Sequence, residues 1–452
     1  MKIPESVVGF LEYNNQTYSF SFDKDNYILS LYPQKATYTS GFYWKSLHTS
    51  FTDVPSKIKG IDSTGAEVIF YLSNPPSFFN CFIQIPIKTF YYGKPMEDNI
   101  SGLAFSGHAI NLFRPPYISS EIYLQEQKVE KISVNYQRKE QVSCGSCRFE
   151  ELEVELFLKE NVTYIEKSFT NPIATSTVLI LELTGCVTIE KILEIIHSVN
   201  CMFQYVAGRK NICLDQVELL NSDRDVLGIL SHNCSFARED DNDSPPQMLT
   251  YQILGEQTAQ LLKRIHSGAI ECDYLLNSSQ EKNTYTVPRC IFLITKFERY
   301  FRYIYGEGSS RSAEFNELKS EGIELLTEWK TSKKGKDKKI AKELLRSFSV
   351  IDDSYARRLF HALEDCQTIM NPFIKRYYPY EEVRLDDIAQ TLSQYRNALA
   401  HGSDVDSDVV NRLNCICILD KLLYVMQLKD LGLDNSTVQK GINQLFCCNF
   451  AI

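Results

Sequence analysis

The spacing of apolar residues changes once along this chain, and that change limits what it can fold into. Over residues 1–185 the apolar runs are short, and they either alternate or are continuous. From about residue 285 onward they recur every three to four residues over long stretches. Alternation belongs to strands with one wet face, and 3–4 spacing to helices with one apolar face. A chain of 452 residues with both patterns needs separate β-rich and helical parts. At roughly 100–200 residues per domain it has room for two to four cores.

The β-rich reading rests on particular runs. Tyr18–Phe22 and Tyr27–Tyr32 flank the turn-forming Asp23-Lys24-Asp25-Asn26. Val68–Leu72 and Phe82–Ile87 flank Asn74-Pro75-Pro76, and Pro86 marks the second run as an edge strand. Leu152–Leu156 alternates, and Val178–Leu181 is continuous. The aromatic share of 12%, with 26 Tyr and 26 Phe, suits strands. The expectation is an α+β multidomain protein whose residues 1–185 form an antiparallel sandwich or barrel-like domain. Residues 186–284 are mixed and continuous with it. There Thr188 caps a helix carrying Ile189, Ile192, Ile196 and Val199, and the acidic stretch Glu239–Pro246 forms an exposed loop.

Residues 285–452 predict a helical bundle. Pro288 suits a first helical turn. Tyr355–Ile369 carries Leu359, Leu363, Cys366 and Ile369. Asp386 or Asp387 caps a helix with Ile388, Leu392, Tyr395 and Leu399 on one face, ended by Gly402. Asp406 or Ser407 caps a last long helix with Val409, Leu413, Ile416, Leu423 and Met426 inside. Between helices, Lys333–Lys339 reads as a solvated loop or as an arm that contacts phosphate.

The 48 Lys and Arg against 57 Asp and Glu give a net charge of −9. That argues against nucleic-acid binding over the whole surface but permits a local basic site. No apolar run reaches membrane-spanning length, and the N-terminus lacks signal-peptide features. The expected location is the cytoplasm, with no membrane partner and with the 14 Cys mostly as reduced thiols.

The segment with most chemistry is Tyr395-Arg396-Asn397-Ala398-Leu399-Ala400-His401-Gly402. Asn397 and His401, four apart, share a helix face, and Arg396 reaches the same space. One helix end thus offers a fixed cation, an amide and an imidazole. RNA cleavage without a metal needs groups that move protons and stabilise a phosphorane. Histidine titrates near neutrality, and the planar guanidinium matches phosphate oxygens.

This Arg396-Asn397-x-x-x-His401 pattern, near a helix end and followed by another long helix, resembles the HEPN superfamily (higher eukaryotes and prokaryotes nucleotide-binding). The layout, with a long β-rich region before the bundle, is similar to Apea-like HEPN proteins of bacterial phage defence. The resemblance implies a metal-independent endoribonuclease acting in abortive infection, with 2′-hydroxyl attack and tRNA among the candidate RNA substrates. It implies a homodimer or higher homo-oligomer whose bundles pair their Arg/His sets, and a phage-encoded trigger protein. It implies an acidic or polar helper on an early bundle helix, for which Glu298 is the candidate. The rival reading is a non-catalytic dimerising or sensor protein whose β-rich domain binds a ligand or partner.

Cys144-Gly145-Ser146-Cys147 is a CxxC, half of a structural zinc site, a redox pair (though no βαβ pattern frames it) or a turn with two thiols. Cys201, Cys213, His232 and Cys234 are candidates to complete it. No Walker loop, GxGxxG or HExxH occurs, so ATP, NAD and zinc-protease chemistry have no basis here. No cofactor is expected for catalysis.

Overall fold

The computed structural model describes residues 2–13, 16–33, 56–79, 82–96, 100–116, 118–125, 128–136, 141–164, 173–185, 187–233, 247–281, 284–306, 313–349, 354–401 and 408–450. The chain divides into two compact units, Met1–His266 and Ser267–Ile452. Glu239–Pro246, Cys234, Gly402 and Asp406–Ser407 lie outside the described residues.

In the first unit, strands β1 (Val7–Tyr13), β2 (Gln16–Asp23), β3 (Ile28–Pro33), β4 (Lys57–Asp62), β5 (Glu67–Leu72), β6 (Ser77–Phe78) and β7 (Ile83–Gly93) come first. They pair in the order β7-β3-β2-β1-β4-β5, and β5 pairs back onto β7, closing an antiparallel barrel. Alternate residues point inward. Phe20, Phe22, Phe70 and Phe90 fill the barrel, with Phe22 and Phe90 ring centroids 4.6 Å apart. Burial of these side chains is the main stabilising term of the barrel, at about 2–3 kcal/mol each.

The run with Pro86 is not an edge strand. It forms β7, which pairs with β3 through Ile83–Pro86 and with β5 from Ile87 onward. Pro86 stands where the partner changes, beside a register shift at Tyr71/Leu72, so its missing N–H breaks no continuous ladder. The far half of β7 also pairs with β15, which joins the barrel to a second sheet.

That sheet runs β15 (Val226–His232), β14 (Gln216–Leu220), β8 (Gly102–Ser106), β13 (Ile173–Thr184), β12 (Leu152–Tyr164), β11 (Val142–Phe149). β9 (Ile118–Gln125) and β10 (Lys128–Tyr136) form a separate hairpin. Helices α1 (His108–Phe113), α2 (Ile189–Ala207), α3 (Tyr251–Leu254) and α4 (Gln257–His266) complete the unit. Thr188 caps α2 by accepting from the Lys191 N–H, and its isoleucine stripe is buried as expected.

The second unit is helical: α5 (Val287–Tyr305), α6 (Ala313–Ser332), α7 (Gly335–Ser349), α8 (Tyr355–Asp365), α9 (Gln367–Tyr377), α10 (Leu385–His401), α11 (Val409–Asp430) and α12 (Asn435–Phe446). It begins at Ser267, whereas sequence periodicity put the helical part at 285. The reason is packing. Ile270, Tyr274 and Leu275 are buried, and the Tyr274 hydroxyl donates to Gln427 of α11 at 3.3 Å.

α11 sits centrally and is buried on several sides from Cys415 to Leu428. Such a helix has little one-sided pattern. Its first turns differ from expectation, because Val409 and Leu413 are exposed and Asp408 is the cap. Lys336–Lys339 also differ: they are helical, in the first turns of α7, where Gly335 at φ 63° starts the helix after the Lys333-Lys334 link.

Candidate functional site

Glu298 lies on α5, one residue after the fully buried Phe297, so the helix face holds its carboxylate at the edge of the core. Three arginines from three helices meet it. Arg358 of α8 donates Nη1 to Oε1 at 2.6 Å, and Arg302 of α5 donates Nη2 to the same oxygen at 3.1 Å. Arg396 of α10 donates Nη2 to Oε2 at 3.5 Å. Arg358 is on the apolar face of α8, level with Tyr355, Leu359 and Ala362, and its side chain is only 7% exposed. Arg396 is 40% exposed.

Arg396 also donates Nη1 to the Asn397 amide oxygen at 3.3 Å, and its guanidinium stands 5.5 Å from the centre of the Tyr355 ring. Stacking and the weak Glu298 contact hold the fork in place while leaving it open to solvent. The Tyr355 hydroxyl is buried and has no hydrogen-bond partner among the described residues. Burial, and then the Glu298 charge, push its pKa up, and Arg396 offsets part of this. The phenol therefore stays a neutral donor.

His401 is the last residue of α10 and is exposed, one turn beyond Asn397 on the same face. Among the described residues it makes no hydrogen bond or ion pair with Arg396, Asn397 or Glu298. The structure thus gathers Arg396, Asn397 and Glu298 and leaves His401 at the open helix end. Sequence reasoning missed Arg358, Arg302 and Tyr355. The available signal was an arginine inside the apolar stripe of Tyr355–Asp365, where a charge is not left without a partner.

Among the described residues three guanidiniums meet this one carboxylate, in a chain whose net charge is −9. Such a place favours a bound phosphate. Chemically it offers planar donors for phosphate oxygens, an amide and a nearby imidazole.

The CxxC is not a turn. Cys144 and Cys147 lie inside β11, where the register shifts between Ser143 and Ser146 and Gly145 adopts φ 90°. Both thiols are buried, and burial pushes each pKa up to about 12. Zinc binds thiolates. Among the described residues no His, Cys, Asp or Glu joins them as a third ligand. Cys213 is disulfide-bonded and so is no free ligand, whereas ten other described cysteines are free thiols. The described donors therefore do not by themselves make up a zinc site.

A helical bundle that presents an Arg-Asn pair and a histidine at one helix end is the framework of HEPN-type nucleotide-binding domains. Residues 293–437 match the family model for Apea-like HEPN. Over that segment, about a third of the chain, the helical unit is accordingly similar to Apea-like HEPN domains. Domains of this superfamily are generally RNA-binding ribonucleases and often dimerise. No curated protein and no solved structure gives a match. Among the described residues, no helix is long and apolar enough to cross a membrane.

Proposed function

We propose that this chain is a metal-independent endoribonuclease in which Arg396, Asn397 and His401 act on the RNA backbone and Glu298 orders the site. The observation that carries this reading is the convergence of Arg302, Arg358 and Arg396 on Glu298, beside the helix end bearing Asn397 and His401. In this reading the 2′-oxygen forms a bond to phosphorus and the bond from phosphorus to the 5′-oxygen breaks. His401 takes the proton of the 2′-hydroxyl, or gives one to the leaving oxygen. Arg396 neutralises charge that grows on the phosphorane oxygens. A second bundle supplies the other proton-transfer group, so that two Arg396/His401 sets share one cleft.

The exposed Val409, Val410 and Leu413, which follow α10 in the chain, support such pairing. The same apolar turn favours the rival reading, in which the bundle only assembles and cuts nothing. A place in antiviral abortive infection, released by a phage product, rests on the family likeness.

The test is RNA cleavage by purified protein in EDTA. Wild type yields 2′,3′-cyclic phosphate and 5′-hydroxyl ends, and Arg396→Ala and His401→Ala yield none. Ends carrying 5′-phosphate, or cutting that EDTA stops, would refute the mechanism. Intact, correctly assembled protein that never cuts RNA would favour the rival.

A further inference from the structure

Helices α6 and α7 form a hairpin, each packing chiefly on the other. Gly322 of α6 faces Phe348 of α7 so closely that an added Cβ would lie 2.5 Å from the ring. The inner seam continues through half-buried Ile323 and Leu326 on α6 and through Ala341 and Leu345 on α7.

The seam does not use all the apolar residues. Leu318, Leu325 and Trp329, spaced by seven and four, make a second stripe along α6. They are 66%, 66% and 39% exposed. Ile340 and Leu344 make a stripe along α7 and are 52% and 47% exposed. Both stripes are offset from the seam in the same rotational sense. In antiparallel right-handed helices, that offset puts both on one side of the hairpin. The hairpin therefore shows one apolar face built from two helices.

The charges on the two helices are opposite. α6 carries Glu314, Glu317, Glu321, Glu324 and Glu328 against Lys319 and Lys330. α7 carries Lys336, Lys338, Lys339, Lys342 and Arg346 against Asp337 and Glu343.

We propose that this face binds the same face of a second copy of the chain, with α6 of each copy lying across α7 of the other. Two twofold arrangements can join such faces. An axis across the helices sets acidic α6 on acidic α6. An axis along the helices sets α6 on α7, every neighbour antiparallel, as in an up-down-up-down four-helix bundle. The charges select the second. It also brings Trp329 near the partner's Ile340, and Leu325 near the partner's Leu344, all close to the turn of the hairpin. The five exposed side chains, at about 200 Å² of full area each, offer roughly 500 Å² per copy, so a pair buries about 1,000 Å². That stands at the lower bound of about 1,000 Å² for a specific interface. This inference stands apart from RNA cutting and from any pairing at the Arg396 helix end.

The test uses two full-length variants and sedimentation mass. One is Glu321→Lys/Glu328→Lys, and the other is Lys336→Glu/Lys339→Glu. Each alone is expected at half the wild-type mass. Mixed, they match charge at both contacts and return to the wild-type mass. Leu325→Glu/Leu344→Glu is expected at half mass in every mixture. Far-UV circular dichroism checks that each variant is folded. A monomeric wild type, single variants that keep the wild-type mass, or a mixture of folded variants that fails to reassociate would overturn the arrangement. RNA cleavage measured on the same samples is scored separately, so a variant of monomer mass that still cuts tells against paired active sites and leaves the hairpin interface standing.

Discussion

Glu298 serves stability and the candidate site at once, and its two roles separate by substitution. Its contact with buried Arg358 is short, at 2.6 Å, whereas Arg396 is partly exposed and 3.5 Å away. Removing Glu298 takes from buried Arg358 the carboxylate it meets at 2.6 Å. Glu298→Ala is expected to cost about 3–5 kcal/mol in urea unfolding. Arg396→Ala is expected to cost no more than about 1 kcal/mol, because exposed pairs are worth little. Both are expected to stop RNA cleavage. An Arg396→Ala protein as unstable as Glu298→Ala would show that Arg396 is a structural residue instead.

Asp365 gives a pH dependence of known sign. Its burial works to raise the carboxyl pKa, but hydrogen bonds from Lys429 Nζ at 3.0 Å and the Tyr305 hydroxyl at 2.9 Å, with the Lys429 charge, outweigh this and lower it. A lowered folded-state pKa stabilises the protein above the unfolded value of about 3.9, and that stability is lost as pH falls through the folded value. Asp365→Asn should flatten the acid limb of stability against pH, measured by denaturant titration from about pH 5 downward. An unchanged acid limb would mean the ion pair contributes nothing.

α11 shows why a helix with little one-sided pattern still has a fixed place. Most of its length is apolar and surrounded, and its buried charges are matched one by one. Asp420 accepts from Arg289 at 2.8 Å and from the Tyr285 hydroxyl at 2.9 Å. Lys421, whose pKa burial lowers, donates to the Tyr377 hydroxyl at 3.0 Å. These partners fix the rotation and height of α11 against α5 and α9. Asp420→Ala leaves Arg289 buried without its carboxylate and should cost about 3–5 kcal/mol.

In β11 the comparable constraint is geometric. Gly145 adopts φ 90°, and an added Cβ would stand 2.3 Å from the Glu256 carbonyl oxygen. Gly145→Ala is expected to destabilise the first unit by at least about 1–3 kcal/mol, seen as a lower melting temperature. A neutral result would mean that β11 and the Glu256 segment can separate at no cost.

Each of the two units has its own buried core, which is the condition for separate cooperative unfolding. Calorimetry of the full chain should resolve two transitions. Gly145→Ala should move one and Asp420→Ala the other. A single transition displaced by both substitutions would mean that the units unfold together. The units also differ in what they offer. The first holds a closed barrel continued by a second sheet, and the second holds the meeting of three arginines at Glu298.

Local pattern alone determined several features of this protein. Alternation in Leu152–Leu156, capping by Thr188 and Pro288 in the first turn of α5 depend on neighbours within a few residues, so they could be read directly. So could the proximity of Arg396 and Asn397, which are adjacent on one helix. Other features depend on which distant segments meet, and only the tertiary structure decided them. Closure of the barrel through β5 and β7, the central place of the Pro86 strand, and the start of the second unit at Ser267 rest on such pairings. Glu298 could be named from the sequence, but its partner Arg358 is 60 residues away on another helix. The physical reason is that helix and strand periods specify which face of a segment is apolar, whereas the partner of a buried charge is chosen by how those faces pack.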